Sequence, residues 1–146
     1  MNNEMQDLRN SIVDNFQVTT DIKVEWREMD AAGHVHNVQY FGYLETCRIA
    51  FFETLDFNVA PDNAIGVVVA KVDCKYIYPV TYPDIIIGGI RYVEHGEHHV
   101  GIEIHLFSKK YNRLVAISNQ KLVFYHFGTK LKAEMPDDFL EKLEQL

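Results

Sequence analysis

Cysteine is scarce in this 146-residue chain: Cys47 and Cys74 are the only two. They are too few for a disulfide framework and show no metal-ligand spacing. Both sit inside periodic apolar segments, the usual setting of buried free thiols in a reducing compartment. Positive charge is also in short supply. Lys and Arg number 14 against 21 Asp and Glu, a net charge of -7. Non-specific nucleic-acid binding through a basic face is therefore disfavoured, and a polyanionic partner would need a local basic patch. Residues 1–17 are polar and lack the apolar stretch of a secretory signal. No apolar run is long enough to span a bilayer. These absences point to a soluble, cytoplasmic chain with no membrane span. A Gly-x-Ser-x-Gly elbow and a glycine-rich phosphate loop are both missing, so serine-triad and P-loop chemistry have no support.

Apolar mass is plentiful. Hydrophobic residues make up 47% and aromatics 12%, enough for a core without disulfide or metal staples. Residues 1–19 read as a polar N-terminal arm, and residues 20–146 as a single domain without repeats. Ile22, Val24 and Trp26 alternate with Lys23, Glu25 and Arg27, which predicts a half-buried strand. From about Asn37 to Leu55 the period changes. Tyr40, Leu44, Cys47, Phe51 and Leu55 recur at helical spacing, and Phe41, Tyr43, Ile49 and Phe52 widen the apolar surface almost all round. That pattern predicts a buried helix. Gly42 inside it suggests close packing against a neighbouring backbone.

After a loop at residues 56–63, strands are expected through Ala70–Tyr78, Ile85–Val93, Val100–Leu106 and Leu114–Tyr125. A bulge or bend is expected at Gly88-Gly89, a hairpin turn at His95-Gly96-Glu97 and another turn at Asn112. The C-terminal residues 136–146 pattern as a short amphipathic helix with Phe139, Leu140 and Leu143 on one face. The implied architecture is α+β: about five antiparallel strands wrapped around one long central helix, plus a short C-terminal helix. A single curled sheet leaves an open edge and an uncovered face, which calls for self-association.

The chemistry concentrates between Asp30 and Arg48. Asp30 lies on a breaker-rich connection seven residues before Asn37, where the helix is expected to start. A helix start carries free N–H donors and a positive dipole end, able to polarise a carbonyl. Asp30 could serve as general base or nucleophile. The residues alone reach only hydrolysis or acyl transfer at a helix N-terminus; a lone loop Asp more commonly closes a turn. His34 either orients Asp30 or water, or is a hydrogen-bonded structural histidine. His34-x-His36 has no further ligands at a recognisable spacing, so no metal is assigned.

The stretch V-E-W-R-E-M-D-A-A-G-H-V-H-N-V-Q-Y-F-G-Y-L-E-T-C-R resembles the signature of hot-dog-fold acyl-CoA thioesterases of the 4-hydroxybenzoyl-CoA thioesterase class. Gly33, His34, Val35, Asn37, Tyr40, Tyr43, Glu45 and Arg48 carry it, and Tyr76-x-x-Pro79-x-x-Tyr82-x-Asp84 supports it more weakly. The resemblance spans Ile22 to Tyr125. It implies a hot-dog fold and an acyl-CoA substrate without cofactor. It also implies a homodimer or homotetramer with sites at the subunit interface. By position it implies Asp30, His34 and Asn37 as catalytic residues, Asn37 acting through its main-chain N–H, and Tyr40, Tyr43, Glu45 and Arg48 near substrate. Glu45 and Arg48 equally fit a structural ion pair. Glu28 and His36 depart from the family pattern, where Asp and Asn are usual. The basic turn of Lys109, Lys110 and Arg113 reads first as solvated and second as a contact for CoA phosphates. The alternatives are an acyl-carrier-protein thioesterase and a non-catalytic acyl-thioester-binding module.

Overall fold

The computed structural model describes residues 10–12, 14–59 and 64–146. Residues 1–9 and 13 of the expected arm and residues 60–63 of the Pro61 loop lie outside these. The strands are β1 Val18–Lys23, β2 Ile65–Val72, β3 Lys75–Tyr76, β4 Ile85–His95, β5 His99–Ser108, β6 Arg113–His126 and β7 Leu131–Lys132; the helices are α1 Gln39–Thr54 and α2 Asp137–Glu144. The main path of the antiparallel sheet runs β1-β4-β5-β6-β2, and the two-residue strands β3 and β7 both pair with β6. This is the expected sheet of about five strands carrying one long helix. No helix among the described residues is long and apolar enough to cross a membrane.

α1 buries Tyr40, Tyr43, Leu44, Cys47, Phe51 and Phe52. Against them stand the buried strand residues Ile86, Ile90, Ile102, Ile104, Leu106 and Leu122. Each fully buried aliphatic side chain contributes roughly 1.5–3 kcal/mol. The expectation of a helix buried on most faces is corrected: Phe41 is 40% exposed, and Glu45, Thr46 and Glu53 are also exposed. The curled sheet covers one side of a cylinder and leaves the other open within one chain. A Cβ on Gly42 would meet nothing within 4 Å, so the close packing expected there occurs elsewhere.

It occurs at Gly88 and Gly89. These neighbours on β4 point to opposite faces of the sheet. A Cβ on Gly88 would lie 2.2 Å from Cys47 Sγ, and one on Gly89 would lie 2.6 Å from the Phe16 ring. The pair admits α1 on one face and Phe16 on the other, and the bulge of β4 falls instead between Tyr92 and Glu94. Phe16 belongs to a small outer-face cluster with Ile12, Ile87 and Phe107.

Three further expectations shift. The first strand begins at Val18 and ends at Lys23, and Trp26 is 75% exposed in a 3-10 turn, Trp26–Glu28. Val24 N–H still donates to Asp84 O at 3.0 Å, in the register that pairs Lys23 with Ile85, before the chain turns into that 3-10 segment. The alternating run Ala70–Tyr78 is split into β2 and β3, because Asp73 Oδ1 takes the Asn119 N–H at 2.8 Å. Cys74, beside that break, is only half-buried, whereas Cys47 is fully buried and burial pushes its thiol up to about 12.

α1 ends where Asp56 takes the left-handed conformation, φ 51°, tolerated by Asp better than by most residues. α2 is fastened by Phe139, whose ring lies 5.1 Å from Phe124 and 5.3 Å from Phe57.

Gly88→Ala is expected to cost about 1–3 kcal/mol, the overpacking range, in urea denaturation. Adding Cys47→Ala removes the clashing sulfur and is expected to recover part of that loss. Full additivity of the two losses would show that the contact does not limit the packing.

Candidate active site

Asp30 opens a tight turn. Its N–H donates to His34 O at 2.7 Å, Gly33 N–H donates back to Asp30 O at 3.1 Å, and Met29 and Val35 form an antiparallel bridge. Gly33 sits at φ 80°, a conformation that favours glycine. The side chain joins the same turn: Asp30 Oδ1 accepts from Ala32 N at 2.9 Å and from His34 N at 3.2 Å. Oδ2 has no partner among the described residues. The His34 N–H holds the carboxyl below the usual aspartate range against the opposing desolvation, and the Ala32 N–H adds to it. Asp30 therefore closes a turn, as a lone loop Asp commonly does, yet keeps one exposed and ionised oxygen.

The turn is bolted to the scaffold. Val35 N–H donates to Val80 O at 2.8 Å, and His36 N–H to Glu28 O at 2.9 Å. Below it, the buried Tyr43 donates its hydroxyl to Glu28 Oε1 at 2.8 Å, which also accepts from Glu25 N at 2.7 Å. Burial, then the Glu28 carboxylate, pushes the Tyr43 phenol well above its ordinary value, so it stays a donor. Glu28 thus couples α1 to the Asp30 loop.

At the helix start, Val38 is the cap residue and has no side-chain cap of its own. His36 Nδ1 accepts the Val38 N–H at 3.2 Å, and Gln39 N–H goes to His36 O at 2.9 Å. The Asn37 side chain does not cap the helix, and the Asn37 N–H has no acceptor among the described residues. Tyr76 donates its hydroxyl to Asn37 O at 3.1 Å and packs edge-on to Tyr40, ring centroids 4.9 Å apart. Asp30, His36, Asn37, Tyr40, Tyr76 and Tyr78 all line one cleft of about 360 Å³. Asp30 also lines a neighbouring cavity of about 730 Å³ with Trp26, Met29 and Tyr82.

The remaining candidates lie apart from that cleft. His34 holds Asp30 through its main chain, and its imidazole is exposed. Glu45 is exposed on α1. Arg48 donates to Gln120 Oε1 at 3.1 Å instead of pairing with Glu45, and burial lowers its pKa. In the β4–β5 hairpin, His98 Nδ1 bonds Ala133 O at 2.9 Å and His99 Nε2 meets Glu94 at 3.0 Å. Among the described residues no three His, Cys, Asp or Glu converge as metal ligands. Sequence reasoning did not assign Glu28 or Tyr76 to the site. Tyr76 begins the weaker motif and could have been found there. Glu28 stands out in the sequence only as a departure from the family pattern; its bond to Tyr43 joins another element and cannot be read locally.

A curled antiparallel sheet on one long helix, with a carboxylate loop at the helix start, defines the hot-dog class. The family model described as the thioesterase-like superfamily matches residues 24–143, and the chain belongs to that superfamily. A Pseudomonas aeruginosa protein provisionally called a thioesterase superposes with a TM-score of 0.80 at 29% identity, over 87% of this chain and 98% of its own. A Thermus thermophilus thioesterase complexed with coenzyme A and Zn gives 0.75 at 25%, over 88% and 98%. The DHNA-CoA thioesterase of Staphylococcus aureus gives 0.80 at 17%, over 88% and 89%, a likeness of fold alone. A curated Aquifex aeolicus protein, provisionally named an esterase, is 34% identical over 65 residues, 43% of this chain and 51% of that protein. The match spans about half the length of that relative. The Zn belongs to the Thermus structure; the donor set around Asp30 here does not fit a metal.

Tyr43→Phe is expected to leave the fold intact and lower its stability by about 1–2 kcal/mol, since Glu28 keeps its Glu25 donor. The urea midpoint with an unchanged denaturant slope checks this.

Proposed function

We propose that the chain hydrolyses an acyl-CoA thioester to the free acid and CoA, with Asp30 as base or nucleophile and the Asn37 N–H at the oxyanion. The observation that carries this reading is the shared cleft of Asp30 and Asn37, one offering a free carboxylate oxygen and the other a free N–H. In the general-base route, Asp30 Oδ2 takes a proton from water as its oxygen attacks the thioester carbon. The carbonyl oxygen gains charge and is held by the Asn37 N–H beside the positive end of α1. The C–S bond then breaks, and the thiolate leaves with the proton that Asp30 returns. In the nucleophilic route an Asp30 oxygen attacks the thioester carbon and the C–S bond breaks to expel the thiolate; water then opens the anhydride, its hydroxyl going to the acid and its proton to the thiolate, and Asp30 is restored as carboxylate. The choice of CoA draws support from the coenzyme A bound to the Thermus relative. Tyr40, Tyr76 and Tyr78 supply an aromatic wall for the acyl side.

Assembly belongs to the same reading. The sheet ends in β1 on one side and β2 on the other, and Val69 of β2 is 43% exposed. A homodimer or homotetramer would cover such an edge and bring a partner surface towards Phe41 and Glu45 on the open face of α1.

In an assay of CoA release from an acyl-CoA panel, Asp30→Asn is expected to lower kcat by about 10²–10⁴-fold. Because the His34 and Ala32 N–H groups favour the carboxylate, the acid limb of kcat/KM is expected below the ordinary aspartate range. The rate then holds as pH falls and drops only once Asp30 gains its proton. Full activity of Asp30→Asn, or no CoA release by the unaltered chain from any substrate, would sink the reading.

The oxyanion assignment separates main chain from side chain. Asn37→Ala keeps the N–H and is expected to retain kcat within a few-fold. Asn37→Pro removes it and is expected to lose about 10²–10³-fold, with circular dichroism confirming that the fold persists. Equal losses in both would assign the role to the side chain.

A further inference from the structure

Hydrolysis by Asp30 and the Asn37 N–H gives no task to His36, although His36 lines the cleft with them. The bonds around position 36 fix three orientations there. His36 O accepts Gln39 N–H at 2.9 Å. The 36–37 peptide is trans, and in a planar trans peptide C=O and N–H point in opposite directions. The Asn37 N–H therefore points away from the body of α1. In the next peptide, Asn37 O accepts the Tyr76 hydroxyl at 3.1 Å, and Val38 N–H donates to His36 Nδ1 at 3.2 Å. That peptide is held at both ends by residues that line the cleft.

The third orientation is that of the imidazole hydrogen. A backbone N–H can only donate, so Nδ1 accepts and carries no hydrogen. A ring whose Nδ1 accepts keeps its single hydrogen on Nε2. Nε2 has no partner among the described residues, and His36 is exposed. Position 36 is also a departure from the family pattern, which has Asn there. Asn could cap Val38 as well, because its Oδ1 takes the place of imidazole Nδ1. It has no atom where Nε2 stands. Histidine therefore keeps the cap and adds a donor. That donor answers a need of the reaction. The oxygen of a tetrahedral intermediate carries a full charge and several lone pairs, and one N–H satisfies them incompletely.

We infer that His36 Nε2–H is a second donor to the thioester oxygen, beside the Asn37 N–H. The inference rests on the hydrolase reading and adds a catalytic residue to it. The bond changes stay as they are. The proton of water passes to Asp30 and on to the thiolate, and His36 keeps its own hydrogen throughout. Its contribution is a hydrogen bond that strengthens as charge gathers on the oxygen.

The test sets two substitutions in the full chain against each other, in the assay of CoA release. His36→Asn keeps an acceptor for Val38 N–H and removes the Nε2–H. It is expected to leave the urea midpoint unchanged, hold KM within a few-fold and lower kcat about 10²-fold. His36→Gln puts an amide N–H where Nε2 stood and loses the cap. It is expected to lower the urea midpoint yet keep kcat within about tenfold of the unaltered chain. If His36 only caps α1, the order reverses: Asn keeps the rate and Gln loses it. That result overturns the inference and leaves the hydrolase reading standing. A second substrate locates the hydrogen bond. An aryl thiolate departs without help, so the His36→Asn loss is expected to be as large on the aryl thioester of the same acyl group as on its CoA thioester. A loss confined to the CoA thioester would put the Nε2–H on the departing sulfur and overturn the oxyanion assignment. Failure of the unaltered chain to hydrolyse either thioester would remove the hydrolase reading and this inference with it.

Discussion

The contact on which this structure depends is the approach of Cys47 on α1 to Gly88 on β4. The sulfur occupies the volume that any side chain at position 88 would claim. With it in place, the buried face of the helix lies close over the sheet, and Tyr43, Leu44, Phe51 and Phe52 are drawn into the same core. On the other face of β4, Gly89 lets Phe16 sit flat on the sheet. Two adjacent glycines thus set the spacing of both layers. Close-packed interiors transmit such constraints, because no soft filler lies between the layers.

The candidate site inherits its position from that packing. Tyr43 is anchored by the helix–sheet core and holds Glu28 from beneath. Glu28 in turn receives His36 N–H through its main chain, and Val80 receives Val35 N–H. The loop between Asp30 and Asn37 is therefore fixed at several points by elements that do not themselves face the cleft. Such support lets an exposed carboxylate keep a defined place relative to a helix start. Asp30 spends one oxygen on the turn and leaves the other exposed. Its structural and functional readings are compatible, because a carboxylate has two oxygens and the turn uses one.

Much of the fold was legible from periodicity. The alternations of β4, β5 and β6 and the helical spacing from Tyr40 to Leu55 follow from one face of each element being buried. Where the reading slipped, the cause was a turn or a contact between elements. The first strand stops at Lys23 because the chain turns into the 3-10 segment Trp26–Glu28, closed by Glu28 N–H on Glu25 O. The run Ala70–Tyr78 breaks because Asp73 binds Asn119. Gly42 looked like a packing glycine by its place in an apolar helix, yet the glycines that matter lie on the sheet the helix meets.

The sequence by itself determined the α+β element order and the helical period from Tyr40 to Leu55, and it gathered the candidate site residues between Asp30 and Arg48. These are local matters, written in side-chain period and in the short offset between a turn and a helix start. Tertiary structure alone decided that Glu28 belongs with Tyr43, that Tyr76 closes over Asn37, and that Arg48 turns to Gln120. Each of these pairs residues from different elements, and strand order with ladder register sets such distances. No local pattern carries that information.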